Sequence, residues 1–419
     1  MKRKFALEKF CFFVKGAKRG AIYNLKSGDV YSIDENAVEF IESCEKGKSI
    51  EEIISGNFPL NRREIIEYCN KLKNQGLGHF IKENEKITKV KLSKPHPLEF
   101  MWLELTTKCN LRCEHCYSES DSEKREEEKM TFNNWLQVLE EGYKIGCRKI
   151  QFIGGEPLLL PKDLKTLIRK ARSIGYKFIE VFTNGTLITE KWVKFFSENK
   201  VHVAISIYGP NARIHDGITH RLGSFNRSIK ALRWLTEYQI PLRVAMIVMK
   251  KNQNFVESTK KFLHKNFGIQ NLKHDLVRPS GRGCGMELVP EKLLEEQQIY
   301  EPGFSQCSKK DFERRTFGHQ CFSKEICVTA TGKVFPCIME RDLILGNVLS
   351  QNIKTIINSD SSLKIRRLNK DKIEVCKDCE YRYACFDCRP KAKGSSSNEN
   401  LYAKPAECHY DPYEGRWND

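Results

Sequence analysis

The chain has 419 residues, 40% hydrophobic and 30% charged, and its 71 Lys and Arg against 54 Asp and Glu give a net charge of +17. That composition excludes a disordered chain, and no apolar run approaches the roughly 18 residues a membrane span needs. After Met1-Lys2-Arg3-Lys4 only Phe5-Ala6-Leu7 precede Glu8-Lys9, too short a run for a signal peptide, so a cytoplasmic protein is expected. The basic residues are scattered and no aromatic-basic motif or basic helix stands out, which predicts a solvated Lys-rich surface and neither a nucleic-acid nor a membrane partner.

In chain order, residues 10–14, 20–24 and 30–33 read as short strands separated by Lys15-Gly16-Ala17 and Ser27-Gly28-Asp29 turns. Helical patterns succeed them at 36–45, 50–55 and 62–74, with Asp34 and Ser49 placed as N-caps. Residues 1–92 are thus predicted to form a winged-helix-like domain. Ser93-Lys94-Pro95-His96-Pro97 reads as the linker to a second domain, since X-Pro steps resist helix. From residue 98 to 280 strands at 100–106, 149–153, 178–183, 201–207, 242–249 and 272–277 alternate with helices at 132–145, 163–174, 190–196, 225–236 and 254–267. This alternation predicts a parallel α/β sheet, an open partial (β/α)6 barrel with its chemistry at the strand C-termini. From 281 to 419 the pattern weakens and cysteines dominate.

There are 17 cysteines, ten of them after residue 280 and three at 109–116. In a reducing compartment such cysteines point to metal ligation or catalysis before disulfides. Cys109, Cys113 and Cys116 fall in the loop after the first barrel strand, and three thiolates can grip three corners of a [4Fe–4S] cubane with one iron left open. A zinc site with His115 as a fourth ligand, or free thiols, are the alternatives. Gly154-Gly155-Glu156-Pro157 comes after the second strand, where two glycines admit a ligand close to backbone and Glu156 offers a carboxylate suited to an ammonium. Downstream stand Cys321, Cys327, Cys337, Cys376, Cys379, Cys385, Cys388 and Cys408, enough for two four-thiolate clusters, with a zinc ribbon as the alternative for 376–388.

The cysteine loop and the Gly-Gly-Glu-Pro turn together resemble the radical S-adenosylmethionine superfamily over residues 100–277. The resemblance implies that Cys109, Cys113 and Cys116 are the catalytic cluster ligands. It also implies that S-adenosylmethionine fills the open iron through its amine and carboxylate, with Gly154, Gly155 and Glu156 on the methionyl ammonium. Asn184 and Ser206 match cofactor-contacting positions, Ser206 toward the ribose hydroxyls. Arg243 would pair with the methionyl carboxylate, its alternative being a surface arginine that opens a strand. Tyr208 stands where many relatives carry aspartate, and Tyr117 is either an adenine neighbour or a core aromatic. In such enzymes the reduced cluster cleaves the sulfonium and the resulting 5′-deoxyadenosyl radical takes a substrate hydrogen. An external one-electron reductant, flavodoxin or ferredoxin, is then a required partner.

The C-terminal block resembles the SPASM auxiliary-cluster domain. That likeness implies one cluster on Cys321, Cys327, Cys337 and Cys388 and an outer one on Cys376, Cys379, Cys385 and Cys408, although two residues separate Cys385 from Cys388 where three are usual. Three [4Fe–4S] clusters are thereby expected. Of the remaining cysteines, Cys11, Cys44, Cys69, Cys147 and Cys307 read as small buried hydrophobes, and Cys284 as a candidate substrate neighbour. The N-terminal order of strands and helices resembles the modules by which ribosomal-peptide maturases bind a leader peptide as an added strand. The segments Cys11–Gly20 and Cys408–Trp417 look like maturases of grasp-with-spasm systems. These likenesses imply an enzyme that modifies a ribosomally made precursor peptide, with a thioether between cysteine and a peptide carbon as the favoured product. Alternatives are a carbon–carbon crosslink or epimerisation, sulfatase-maturing Cys or Ser oxidation, and a non-enzymatic iron–sulfur or zinc protein. Glu340 and Asp342 are the candidates for proton removal.

Overall fold

The computed structural model describes residues 3–56, 58–81, 88–94, 98–123, 129–290 and 304–418. Residues 95–97 of the expected linker and 124–128 of the acidic run that begins at Glu119 lie outside the described residues. The chain forms two compact units, one of Met1–Pro95, Gln298–Gln320 and Leu368–Asp419, the other of His96–Gln297 and Cys321–Arg367. Among the described residues no helix is long and apolar enough to cross a membrane.

In the first unit β2 (Cys11–Lys15), β3 (Gly20–Asn24) and β4 (Val30–Ile33) form an antiparallel sheet in that order. The helices α1 (Glu35–Glu45), α2 (Ile50–Ser55) and α3 (Arg62–Asn74) come next, as expected. Asp34 caps α1 by accepting from the Ala37 amide at 2.9 Å, and Ser49 and Glu52 close a capping box on α2. A further antiparallel pair, β1 (Lys4–Leu7) with β5 (Gly78–Ile81), goes beyond the sequence reading, since it joins two segments more than 70 residues apart. All five residues of β3 are buried because both its faces are covered. Ile22 packs with Phe40, Ile41, Ile50 and Ile65 of the helices. Its neighbours Ala21 and Tyr23 point the other way, as strand alternation requires, into a core with Cys307, Phe312 and Ala384. The Tyr23 hydroxyl donates to the Glu380 carbonyl at 2.8 Å, so the N-terminal sheet and the C-terminal cysteine segment share one interior.

The second unit is built on parallel strands β6 (Phe100–Glu104), β7 (Lys149–Ile153), β8 (Phe178–Thr183), β9 (His202–Ser206), β10 (Leu242–Val248) and β11 (Leu272–Leu276), each hydrogen-bonded to the next. This is the expected partial barrel. The helices α4 (Phe132–Lys144), α5 (Pro161–Ile174), α6 (Glu190–Glu198), α8 (Ser224–Glu237) and α9 (Val256–Phe267) cover one face, and a short α7 (Ala212–Thr219) adds to the expected set. The sheet continues past β6 into β12 (Glu325–Val328), parallel to it, then β13 (Lys333–Phe335) and β14 (Gly346–Asn347). Alternate strand residues, among them Leu103, Phe152, Val181, Val203 and Val244, are fully buried against the helices. The opposite face mixes the polar residues Glu104, Gln151, Glu180 and Arg243 with apolar ones such as Trp102, Ile153 and Phe182.

Truncating Leu103, buried in the central strand β6, leaves a cavity that cannot collapse, and Leu103→Ala is expected to cost about 2–5 kcal/mol. Leu222→Ala, at a side chain 90% exposed, should stay within about 0.5 kcal/mol of the parent. Urea unfolding checks this, with the midpoint falling for the first variant and coinciding with the parent for the second.

Candidate active site

The cysteine loop leaves β6 and is held from three sides. Gly155 crosses so close to it that a Cβ there would lie 1.9 Å from the Lys108 carbonyl oxygen, and only glycine fits. The Gly155 amide donates to the Thr106 carbonyl and the Glu156 amide to the Lys108 carbonyl, each at 2.8 Å. From α7, the carbonyls of Thr219 and Ile218 accept from the amides of Arg112 and Glu114, each at 3.1 Å. From beyond β11, Arg282 donates through its amide to the Cys116 carbonyl at 3.0 Å, through Nε to the Cys113 carbonyl at 2.9 Å and through a terminal nitrogen to the Ser120 carbonyl at 2.8 Å. Gly281 before it sits at φ +56°, where a Cβ would strike the Tyr117 carbonyl at 2.4 Å. Sequence reasoning passes over Arg282; the signal available is an arginine framed by glycines directly after the last strand.

The Cys109, Cys113 and Cys116 sulfurs are near enough to influence one another's ionisation. Burial pushes the Cys109 thiol up to about 12, with the Glu156 carboxylate adding to the effect, and burial also holds Cys113 well above the usual thiol range. A metal bound by such thiols would displace their protons. Between them desolvation keeps His115 neutral, its pKa lowered to about 4, and the ring is set edge-on to Tyr208 with ring centres 4.8 Å apart. Tyr208 lies in an apolar cluster with Ile218, Met249 and Val277, against which Cys113 packs.

Glu156 is fully buried. Its carboxylate accepts from Thr183 Oγ1 at 2.7 Å, from the Leu158 amide at 3.0 Å and from the Asn184 amide at 2.9 Å. Burial nonetheless raises its pKa, against the pull of those donors. The expected partner is a ligand ammonium; the structure supplies three internal donors. Asn184, so placed at the end of β8, donates to Asn110 Oδ1 at 2.9 Å and approaches Cys109 Sγ at 3.8 Å, while Asn110 donates to Thr186 Oγ1 at 2.8 Å. Cys109, Asn184, Gly154, Gly155 and Glu156 are thereby brought together. Ser206 ends β9 in register with Ala245 of β10.

Arg243 is placed elsewhere. It lies two residues before Ala245, and its guanidinium holds both oxygens of Glu180 at 2.8 and 3.3 Å, the pair being joined by Gln151. The methionyl-carboxylate role expected of it gives way to this part-buried ion pair on the face of the sheet away from the helices. On the same face Arg341 pairs with the Glu104 carboxylate and lies over the rings of Tyr117 and Phe335 at 5.0 and 5.4 Å. Tyr117 is therefore a neighbour of that pair.

Of the downstream cysteines, Cys376, Cys379, Cys385 and Cys408 line one small pocket in the first unit, together with Lys370, Arg382 and Lys404. Four cysteines on one pocket supply the donor set of a four-thiolate cluster, and the three cations beside them suit its negative charge. Burial pushes the Cys376 thiol up to about 11 and raises Cys385, both opposed by the Lys370 ammonium. Cys321, Cys327 and Cys337 belong to the second unit, Cys327 on β12, and Cys388 to the first. Cys11, Cys44, Cys69, Cys147 and Cys307 are buried as expected of small hydrophobes, and Cys284 is exposed.

The Radical SAM superfamily model matches residues 103–263, and the SPASM iron–sulfur cluster-binding domain model matches residues 321–380. The AdoMet-dependent heme synthase of Methanosarcina barkeri is 28% identical over 74% of this chain and 95% of its own length. The antilisterial bacteriocin subtilosin biosynthesis protein AlbA of Bacillus subtilis is 27% identical over 73% of this chain and 69% of its own length. Among solved structures, that of Streptococcus suis SuiB bound to precursor peptide SuiA aligns over 97% of this chain and all of its own with a TM-score of 0.59 at 15% identity, a likeness of fold. The first match covers most of the half-barrel, from within β6 to within α9, and the second covers β12 to β14, so this chain carries a radical SAM domain followed by a SPASM domain.

Proposed function

We propose that this enzyme matures a ribosomally synthesised precursor peptide by hydrogen abstraction, forming a thioether between a cysteine and a peptide carbon. The observation that carries the reading is the three-stranded module at the N-terminus, with β2 and β4 as its edges, set in a fold that resembles a precursor-bound maturase over 97% of the chain. A sheet edge offers unpaired backbone groups to an extended leader peptide. The relationship to AlbA, a protein of bacteriocin biosynthesis, supports the same substrate class.

In this reading residues 1–92 recognise the precursor, 98–280 form the radical barrel and 281–419 the auxiliary-cluster domain. Cys109, Cys113 and Cys116 hold the catalytic cluster, Cys321, Cys327, Cys337 and Cys388 an inner auxiliary cluster, and Cys376, Cys379, Cys385 and Cys408 an outer one. When bound, S-adenosylmethionine would supply the hydrogen-abstracting chemistry, with flavodoxin or ferredoxin as the electron donor. The chain's own part is orientation. Arg282 and α7 fix the cysteine loop, Gly154 and Gly155 allow close approach, Glu156 locks Asn184, and Ser206 stands at the ribose side. The inner face, with the Glu104–Arg341 and Glu180–Arg243 pairs, offers partners to a peptide backbone.

Replacing Cys109, Cys113 and Cys116 together by alanine should abolish release of 5′-deoxyadenosine under strong reductant, while iron bound to the auxiliary sites stays. Quantifying both products and iron on one sample checks this, and undiminished cleavage refutes the assignment. The full-length enzyme should bind leader-containing peptide at least tenfold more tightly than leaderless peptide, about 1.4 kcal/mol. Equal affinities remove the recognition role. Mass spectrometry of co-expressed peptide should show loss of two hydrogens and one cysteine no longer open to alkylation; an unchanged mass indicates epimerisation, and lost hydrogens with all cysteines reactive indicate a carbon–carbon link.

A further inference from the structure

Lysine is almost never buried without a partner. Yet the Lys370 side chain is 9% exposed, and its ammonium meets Cys385 Sγ at 3.0 Å. It stands in the wall of the four-cysteine pocket, and Lys370 and Cys385 also line a second depression bordered by Arg315, His319, Phe386 and Asp387. The carboxylate paired with it, Asp387, is farther away at 3.7 Å and is itself held by the Arg389 guanidinium, with His319 Nε2 also 3.7 Å away. Arg389 in turn is fixed by the carbonyls of Leu401 and Ala403 at 3.0 and 2.8 Å. The carboxylate is thus shared between cations, and the ammonium's shorter contact is to sulfur.

Resting on the proposed ligand set Cys376, Cys379, Cys385 and Cys408, we propose that Lys370 is a positioning residue that raises the reduction potential of the outer cluster through a charged hydrogen bond to the Cys385 thiolate. Reduction would add one electron from the external donor, break no bond, and make the cluster with its four thiolates one charge more negative. A fixed positive charge at hydrogen-bond distance in a buried site favours that more negative state, and hydrogen bonds to ligand sulfurs are among the terms that set such potentials. The arrangement suits a cluster that accepts electrons readily.

The test is a potentiometric titration followed by electron paramagnetic resonance, on full-length protein carrying Cys109→Ala, Cys113→Ala and Cys116→Ala so that only auxiliary signals remain. The outer wave is identified by its loss when Cys376→Ala is added. Lys370→Met should lower that wave by at least a tenfold change in the one-electron equilibrium, about 59 mV, and leave the other in place. Lys370→Arg, which keeps the charge, should stay close to the parent, and Asp387→Asn should move the same wave upward. Waves that coincide in every variant, or that shift alike in Lys370→Met and Lys370→Arg, overturn the proposal. Should Lys370→Met lose its iron, the direction of the Asp387→Asn shift decides, an unmoved wave counting against it. Full iron content after Cys376→Ala instead refutes the ligand set, a separate failure read from the iron count alone.

Discussion

The Glu156 carboxylate, buried at the mouth of the half-barrel, accepts from Thr183, Leu158 and Asn184 and so ties the loop after β7 to the end of β8. Burying an ion costs several kcal/mol. Hydrogen bonds to a charged group return about 1.5–3 kcal/mol each. Burial still leads, since the pKa of Glu156 is raised, and the group is held by geometry it has helped to create. What it secures is Asn184, whose side chain reaches Asn110 and Cys109. The close crossing of Gly155 over Lys108 completes the arrangement, because neither loop can shift without the other.

The two faces of the barrel sheet divide the labour. The outer face is apolar and sits under helices, which is where the stability lies. The inner face carries two arginine–carboxylate pairs, Glu104 with Arg341 and Glu180 with Arg243. Such pairs stabilise little compared with an apolar core of the same volume, and breaking one leaves a charge stranded. Their place in the molecule is better understood as a rigid polar part of the lining. A peptide leaving water needs partners for its amide groups, and an apolar lining would offer none.

Much of this is legible in the amino-acid sequence, and the reasons differ from element to element. The six barrel strands stand out within a residue or two because each is a buried run bounded by turns, next to a helix of strong amphipathic period. Asp34 and Ser49 are recognisable because capping is local chemistry. The cysteine loop and the glycine turn are visible as spacing. What escapes depends on distant partners. β12 is four residues long and gains its identity only by pairing with β6, more than 200 positions earlier. Arg282 is an ordinary arginine until the Cys113 and Ser120 carbonyls appear beside it. Arg243 has a carboxylate partner, as its chemistry suggests, but Glu180 is the carboxylate. The shared interior of β3 with Phe312 and Ala384 joins segments some 290 and 360 residues apart, a distance no local pattern spans.

The extension of the barrel sheet through β12, β13 and β14 bears on how the catalytic half lives without its iron–sulfur appendage. β6 is an inner strand only because β12 lies alongside it. A fragment ending near residue 280 would present the backbone of β6 as a bare margin, together with the buried apolar side chains Met101 and Leu103. Margins of that kind recruit strands from other molecules. The radical barrel is therefore an unfinished object during synthesis until the downstream cysteine segment emerges, and the cell has reason to translate and metallate the two as a single piece.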